Sequence, residues 1–268
     1  MIPPCPPPGV VPSIQPGKLN EFFERIVDNA PGNSADVTKG MTNYTVYVHS
    51  RPGINNAGGN VARDMQQLPW IISLDNFLTE EECKTLIQLG QKAGSRHGTT
   101  EVQLDRSLAS LEMNQEQILS SVWCSYQNNC RGEDIPQLVH DRIAKITGVP
   151  VGNSEDFQMT QHEQGQFDNL HHDFVEMHRD LRCGPRLLTF QLYLSDDVEG
   201  GETTFPHWQI AVKPKAGRAL LWPNVLSSDL KQSDVRMAHA SKSVTKGKNF
   251  VATAHLHMYE FVDLPCGV

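Results

Sequence analysis

Residues 184–206 read GPRLLTFQLYLSDDVEGGETTFP. Within them Leu187–Leu194 is an unbroken run of aliphatic, aromatic and β-branched residues, interrupted only by Gln191. It is bounded by Gly184-Pro185 before it and by Asp196-Asp197 and Gly200-Gly201 after it. An apolar run of about four to eight residues between turn signals reads as a strand, because a helix of that length has little to hold it together. The same pattern recurs at Ile210–Val212, Arg218–Trp222 and Phe250–Leu256, with the turn Pro214–Gly217 between the first two. Upstream the period changes. Trp70–Leu74 reads as one strand, then Thr79 and Glu82 form a capping box that opens a helix whose Cys83, Leu86, Ile87 and Gly90 make one buried stripe. A second helix is expected over Ile135–Ile146, with Pro136 in its first turn and Gly148 past its end. Helices followed by many short strands give an α+β chain with an antiparallel barrel or jelly roll in its C-terminal half. Residues 69–268 are expected to form that domain. Residues 1–68, rich in Pro, Gly and Asn, read as an extension laid over it, ordered only at Leu19–Val27 (helical) and Tyr44–Val48 (alternating).

Composition removes several functions. The chain carries 31 acidic against 23 basic residues, a net charge of −8, and has no basic block, so the electrostatic footprint of a nucleic-acid binder is missing. No apolar stretch is long enough to span a membrane, and the opening MIPPCPPPGVVP lacks the regions of a signal peptide. Six cysteines without a CxxC pair do not make a disulfide scaffold or a zinc ribbon. Cys124 and Cys130 are close enough in sequence to close a small loop, which spacing alone leaves open. Of the eleven histidines, eight lie beyond residue 160, and that crowding asks for a metal or a catalytic explanation.

The candidate is Gly165-Gln166-Phe167-Asp168-Asn169-Leu170-His171-His172-Asp173-Phe174. On extended backbone, residues two apart face the same side, so His171 and Asp173 can present an imidazole and a carboxylate together. With a distant histidine, for which His239 in Met237-Ala238-His239 is the candidate, they would make the facial triad of non-haem Fe(II) oxygenases. The tripeptide alone is weak, since about one chance match is expected in a chain of this composition. A second one, His178-Arg179-Asp180, is indeed present, with no kinase motifs around it, and His162-Glu163 does not continue into HExxH.

The surrounding order decides between them. GQ, HHDF, GPRLLTFQLYLSDDVEGGETTFP, IAVKPKAGRALLW, MAH and KGKNFVATAHLH follow one another, preceded by DNFLTEEEC at 75–83. Over roughly residues 69–261 this closely resembles the catalytic domain of prolyl 4-hydroxylases, which are Fe(II)- and 2-oxoglutarate-dependent dioxygenases. The resemblance implies a double-stranded β-helix braced by N-terminal helices, with His171, Asp173 and His239 as iron ligands and ascorbate as the supporting reductant. It implies a proline-containing peptide as substrate, hydroxylated at C4, with Arg186 near the peptide groove and Tyr193 near the cosubstrate. Family habit, the Asn43-Tyr44-Thr45 sequon and the cysteines point to the endoplasmic reticulum or secretory pathway. Oligomeric state is not readable.

Four positions depart from the family pattern. Ten residues after the distal histidine, where the family usually has the lysine for the far carboxylate of 2-oxoglutarate, stands Asn249. Lys248, one place earlier, could serve only through a bulge or a register shift. The family's tyrosine near the cosubstrate is His162, a second tyrosine is Asp168, and the aromatic residue near the end of the last strand, part of the peptide groove, is His255. The pocket is therefore expected to be more polar and more acidic than in the family. Two further readings stay open: a barrel that has lost turnover and acts as a peptide-binding or structural subunit, and a dioxygenase with a non-proline substrate.

Overall fold

A computed structural model describes residues 10–31, 42–53, 68–97 and 120–261. The three helices described are α1 (Leu19–Asp28), α2 (Glu80–His97) and α3 (Asp134–Thr147). The main sheet contains β1 (Thr45–Ser50), β2 (Ile71–Asp75), β3 (Ser120–Cys124), β4 (Phe157–His162), β5 (Arg186–Tyr193), β9 (Ala219–Pro223) and β12 (Asn249–His257). Its spatial order is β1-β2-β9-β5-β12-β4-β3, all antiparallel. Two small sheets complement it: β10 (Ala240–Ser241), β7 (Thr203–Phe205) and β8 (Ile210–Val212) in one, β11 (Val244–Gly247) and β6 (Val198–Gly200) in the other. This large sheet with small partner sheets and helices outside is the jelly-roll arrangement expected of an α+β chain.

The main sheet separates two cores by alternation, which breaks at the start of β5, where Leu187 joins the same core as Leu188. Leu188, Phe190 and Leu192 of β5, Ala252, Ala254 and Leu256 of β12, and Ile72 and Leu74 of β2 join the core packed under the helices. Tyr193 of β5, Val251 of β12, Leu220 and Trp222 of β9 and Ile71 of β2 point the other way and meet Phe205, Val212 and Met237 inside the barrel. One residue of slippage in β5 or β12 would exchange these faces, so the register is fixed by burial on both sides.

The N-terminal segments are built into this core. β1 is the edge strand paired with β2, and Phe22, Phe23 and Ile26 of α1 are buried, Phe23 stacking on Trp70 at 5.4 Å. The capping box opens α2 as the sequence indicates: Thr79 N–H donates to Glu82 Oε2 (2.8 Å), and Glu82 N–H to Thr79 Oγ1 (3.2 Å). Glu82 has a further role. Arg142 of α3 donates to both of its carboxylate oxygens, at 2.6 and 2.9 Å, and to the Phe77 carbonyl at 2.8 Å, all buried. Gly217 lets the turn before β9 pass close to the α2 entry. Its φ is +79°, and a Cβ there would lie 2.4 Å from the Leu78 carbonyl oxygen. Cys83 is a buried core thiol, pushed up to about 11 by burial, in line with a packing role. Cys124 and Cys130 are joined in a disulfide.

Burial opposes ionisation of Glu82, but the hydrogen bonds from Arg142 and Thr79 outweigh it and hold the carboxyl below its ordinary value. Glu82→Gln should therefore cost about 3 kcal/mol of stability at neutral pH, because Arg142 would be left buried without its counter-charge. Denaturant unfolding checks this. Since the native carboxyl is depressed, the wild-type advantage should be complete above about pH 4.5 and fade as the pH falls through the native value.

Candidate metal centre

The backbone brings the two halves of the candidate triad together. His171, in the loop after β4, and His239, just before β10, form an isolated antiparallel bridge with hydrogen bonds of 2.9 Å in both directions. Their rings lie 4.3 Å apart, centroid to centroid. Asp173 completes the cluster, with Oδ1 3.6 Å from His171 Nε2 and Oδ2 3.5 Å from His239 Nε2. Asp173 and His239 are buried, while the His171 side chain keeps 35% of its surface exposed, so the cluster opens on one side.

The groups around the triad set its chemistry. His171 Nδ1 meets the Asn169 carbonyl at 2.8 Å and His239 Nδ1 meets the Met237 carbonyl at 3.1 Å. A carbonyl only accepts, so in both rings Nδ1 carries the proton and the Nε2 lone pair faces Asp173. Burial pushes His239 down to about 4, which keeps it neutral despite the nearby carboxylate. Burial alone would raise Asp173; the facing His239, His255 and His171 outweigh it and hold the carboxyl well below its ordinary range. Thr189 Oγ1 donates to Asp173 Oδ2 (2.6 Å) and accepts from Asn224 Nδ2 (2.9 Å), a two-link buttress from β5 and the end of β9. Trp222 and Phe205 wall the His239 ring at 4.9 and 5.7 Å. Two neutral imidazoles, one carboxylate and an open side are the donor set that suits Fe(II).

A second cluster of the same composition, Glu155, His178 and His257, lies nearby. Its geometry is that of a hydrogen-bonded network. Two ligands at about 2.1 Å and right angles to each other on one ion sit about 3 Å apart, yet His257 Nε2 and Glu155 Oε1 are 2.7 Å apart. Arg186 occupies the same carboxylate in bidentate fashion, at 2.5 and 2.9 Å. Burial would raise Glu155; the His257 hydrogen bond and the Arg186 and His255 charges outweigh it and depress its carboxyl strongly. Glu155 is thus neutralised without a metal.

The other sequence candidates divide by location. His162 and Asn249 form a buried cross-strand pair on β4 and β12, with His162 Nε2 3.0 Å from Asp168 Oδ2. Tyr193 is buried in the barrel and donates to Thr203 Oγ1 at 2.6 Å. His255 is wedged between the two acids, 3.7 Å from Asp173 and 3.8 Å from Glu155, and neither ring nitrogen has a hydrogen-bond partner. Arg186 ties Glu155 to the Asp173 carbonyl (3.4 Å). Lys248 stands apart and corrects the expectation that it might face the cosubstrate: its side chain is half exposed and pairs with Glu163 at 2.9 Å, and from Asn249 on β12 pairs with β4 in regular register. His172 points away from the triad to the Asp234 carbonyl, and His178 lies in a short 3-10 turn, Glu176–Asp180. Glu155, Thr189 and Asn224 escaped the sequence reading. Of these only Thr189 left a trace, as a polar residue at an inward position of an apolar strand.

Comparison with known proteins gives a consistent result. Residues 157–257 match the 2OG-Fe(II) oxygenase superfamily. "Prolyl 4-hydroxylase 1" of Arabidopsis thaliana is 33% identical over 201 residues, which span 69% of this chain and 68% of the relative. "Prolyl 4-hydroxylase 2" of the same plant is 30% identical over 74% of this chain and 71% of its own length. Among solved structures, the viral collagen prolyl hydroxylase of Paramecium bursaria Chlorella virus-1, in a 2OG complex, superposes with a TM-score of 0.53 at 20% identity, covering 71% of this chain and 96% of that one. This likeness confirms the fold.

His171→Ala and Asp173→Ala are each expected to abolish stoichiometric Fe(II) binding, measured by elemental analysis after anaerobic loading and desalting. His178→Ala is expected to retain one iron per chain. Equal loss in the His178 variant would transfer the metal to the second cluster.

Proposed function

Because the chain belongs to the prolyl 4-hydroxylase family of 2OG-Fe(II) oxygenases, we propose that it hydroxylates peptidyl proline at C4, with Fe(II) held by His171, Asp173 and His239. The observation that carries this reading is the pair of Nε2 atoms facing a buttressed, ionised Asp173, at distances slightly wider than hydrogen bonds. When bound, Fe(II) with 2-oxoglutarate supplies the activation of oxygen needed to insert an oxygen atom into an unactivated C–H bond.

The chain's own residues do the rest. Thr189 engages Asp173 Oδ2, fixing the carboxylate plane, and Arg186 holds the Asp173 backbone from the opposite side. Trp222, Phe205, Met237 and Val251 make a dry wall behind His239, which excludes water from the reacting centre. The far end of the cosubstrate is assigned to the inward-facing residues His162 and Asn249, with Tyr193 nearby. The peptide is assigned to the open side. There Leu170, Met177 and Val235, exposed by 49%, 75% and 65%, each lie within four residues of a triad member and give apolar surface to a proline-rich chain. His255, buried between Asp173 and Glu155, and Asp168, paired with His162, are assigned to the peptide end as polar groups beside the triad. Ascorbate is assigned as the supporting reductant. The Cys124–Cys130 disulfide and the Asn43-Tyr44-Thr45 sequon favour the endoplasmic reticulum as the compartment.

A second reading, a barrel without turnover that binds peptide, is favoured by one observation. Among the described residues, the inward positions around Asn249 carry no lysine or arginine to meet a dianion.

One experiment separates the two. Fe(II)-loaded protein incubated with 2-oxoglutarate, oxygen, ascorbate and a proline-rich peptide should release succinate and add one oxygen atom per modified proline, located at C4 by fragment mass spectrometry. Peptide binding without succinate or mass gain would establish the second reading. Succinate without proline modification would point to a different acceptor.

A further inference from the structure

Asp168 stands where the barrel interior meets the open side of the triad. Its carbonyl accepts from Ser241 N–H at 3.2 Å, two residues beyond His239, and so extends the pairing begun by the His171–His239 bridge. Its carboxylate reaches back to the buried His162, whose Nε2 lies 3.0 Å from Oδ2. A carboxylate only accepts, so His162 is the donor and one oxygen is occupied. The other oxygen, Oδ1, has no protein partner among the described residues, and the side chain keeps 30% of its surface exposed. One oxygen fixes the group in place, and the other is left open beside the metal centre.

The charge on that open oxygen is not balanced from within the chain. Burial would raise the Asp168 carboxyl, but the hydrogen bond from His162 outweighs it and holds the group ionised at neutral pH. Lys242, next after Ser241, is exposed and forms no ion pair with it among the described residues. Lys248 is taken by Glu163, and Arg179, on the turn after Asp173, by Glu176 and Asp180. The chain as a whole carries a net charge of −8. The same side exposes the apolar Leu170, Met177 and Val235. A ligand arriving there meets apolar surface and one fixed negative charge, which suits a chain that combines proline rings with a cationic side chain and opposes an acidic one. An Asp168 that served only to orient His162 would be indifferent to the charge of the ligand.

We propose that Asp168 sets the substrate class of this site: a proline flanked by lysine or arginine, whose cationic side chain pairs with Asp168 Oδ1 while the proline lies against the apolar surface beside the triad. The proposal rests on the assignment of the peptide to the open side. Asp168 acts here as a specificity-determining residue, since the pair it forms lies outside the atoms that react and changes which peptide is held there.

The test uses three fluorescently labelled proline-rich peptides, identical except that the residues on both sides of one proline are Lys, Gln or Glu. Each is titrated anaerobically with the Fe(II)- and 2-oxoglutarate-loaded full chain, and binding is read by anisotropy, so that no turnover is needed. The expected order is Lys, then Gln, then Glu, with roughly a tenfold preference for Lys over Gln at low ionic strength, as one charge-assisted hydrogen bond supplies, and a smaller one as salt is raised. Asp168→Asn, which keeps an acceptor for His162 and removes the charge, should bring the Lys-to-Gln ratio to near one, while Asp168→Glu should retain a preference for Lys. Circular dichroism reports folding of both variants. Equal binding of the Lys and Gln peptides by the wild type overturns the proposal, as does a preference for Lys that persists in folded Asp168→Asn. If none of the three peptides binds the loaded wild type, the assignment of a peptide to the open side fails, and the proposal with it.

Discussion

Two backbone hydrogen bonds, from His171 N–H to the His239 carbonyl and back, join segments 68 positions apart in the chain. On this bridge the site depends. It places two imidazoles 4.3 Å apart with no side-chain contact required to hold them, and it ties the loop after β4 to the small sheet that covers the barrel. The side chains then need only the correct tautomer and a carboxylate between them. The Asn169 and Met237 carbonyls supply the first, and the Thr189–Asn224 buttress fixes the second.

The main sheet explains why these polar groups are tolerated. Its outer face is apolar and packed under helices that the Glu82–Arg142 pair locks together, so folding is driven from that side. The inner face can then carry Thr189, Gln191, His162, Asn249 and His255, several with unpaired atoms. Such groups oppose folding unless a ligand meets them. Their concentration on one face of one sheet, next to the triad, separates a binding interior from an ordinary core. The neighbouring Glu155 network makes the contrast clear: with Arg186 and His257 bound to it, that cluster is complete as it stands.

Much of the fold was legible because its long strands and helices carry strong local signals. Leu187–Leu194, Phe250–Leu256 and Ile135–Ile146 match β5, β12 and α3 to within about a residue or two. The strands β6, β7, β10 and β11 were not, since two to four residues are too few to express a period. Of the two His-x-Asp matches, sequence order favoured the first, and the fold supplies the physical reason. His171 is bridged to His239 with Asp173 buried, whereas His178 sits on a 3-10 turn and the Asp180 side chain is 71% exposed. Glu155 was invisible because its partners Arg186 and His257 lie 31 and 102 residues away and no motif links them. The Cys124–Cys130 pairing needed the geometry of the turn after β3, which spacing does not contain.

The central claim, that the His171–Asp173–His239 cluster binds Fe(II) with a side open to a 2-oxo acid, is tested most directly by the visible absorption spectrum. Fe(II)-loaded protein should be titrated anaerobically with 2-oxoglutarate. A charge-transfer band from the chelated 2-oxo acid is predicted, saturating with cosubstrate in the wild type and absent in Asp173→Ala. A wild-type spectrum that stays featureless at millimolar 2-oxoglutarate would contradict it.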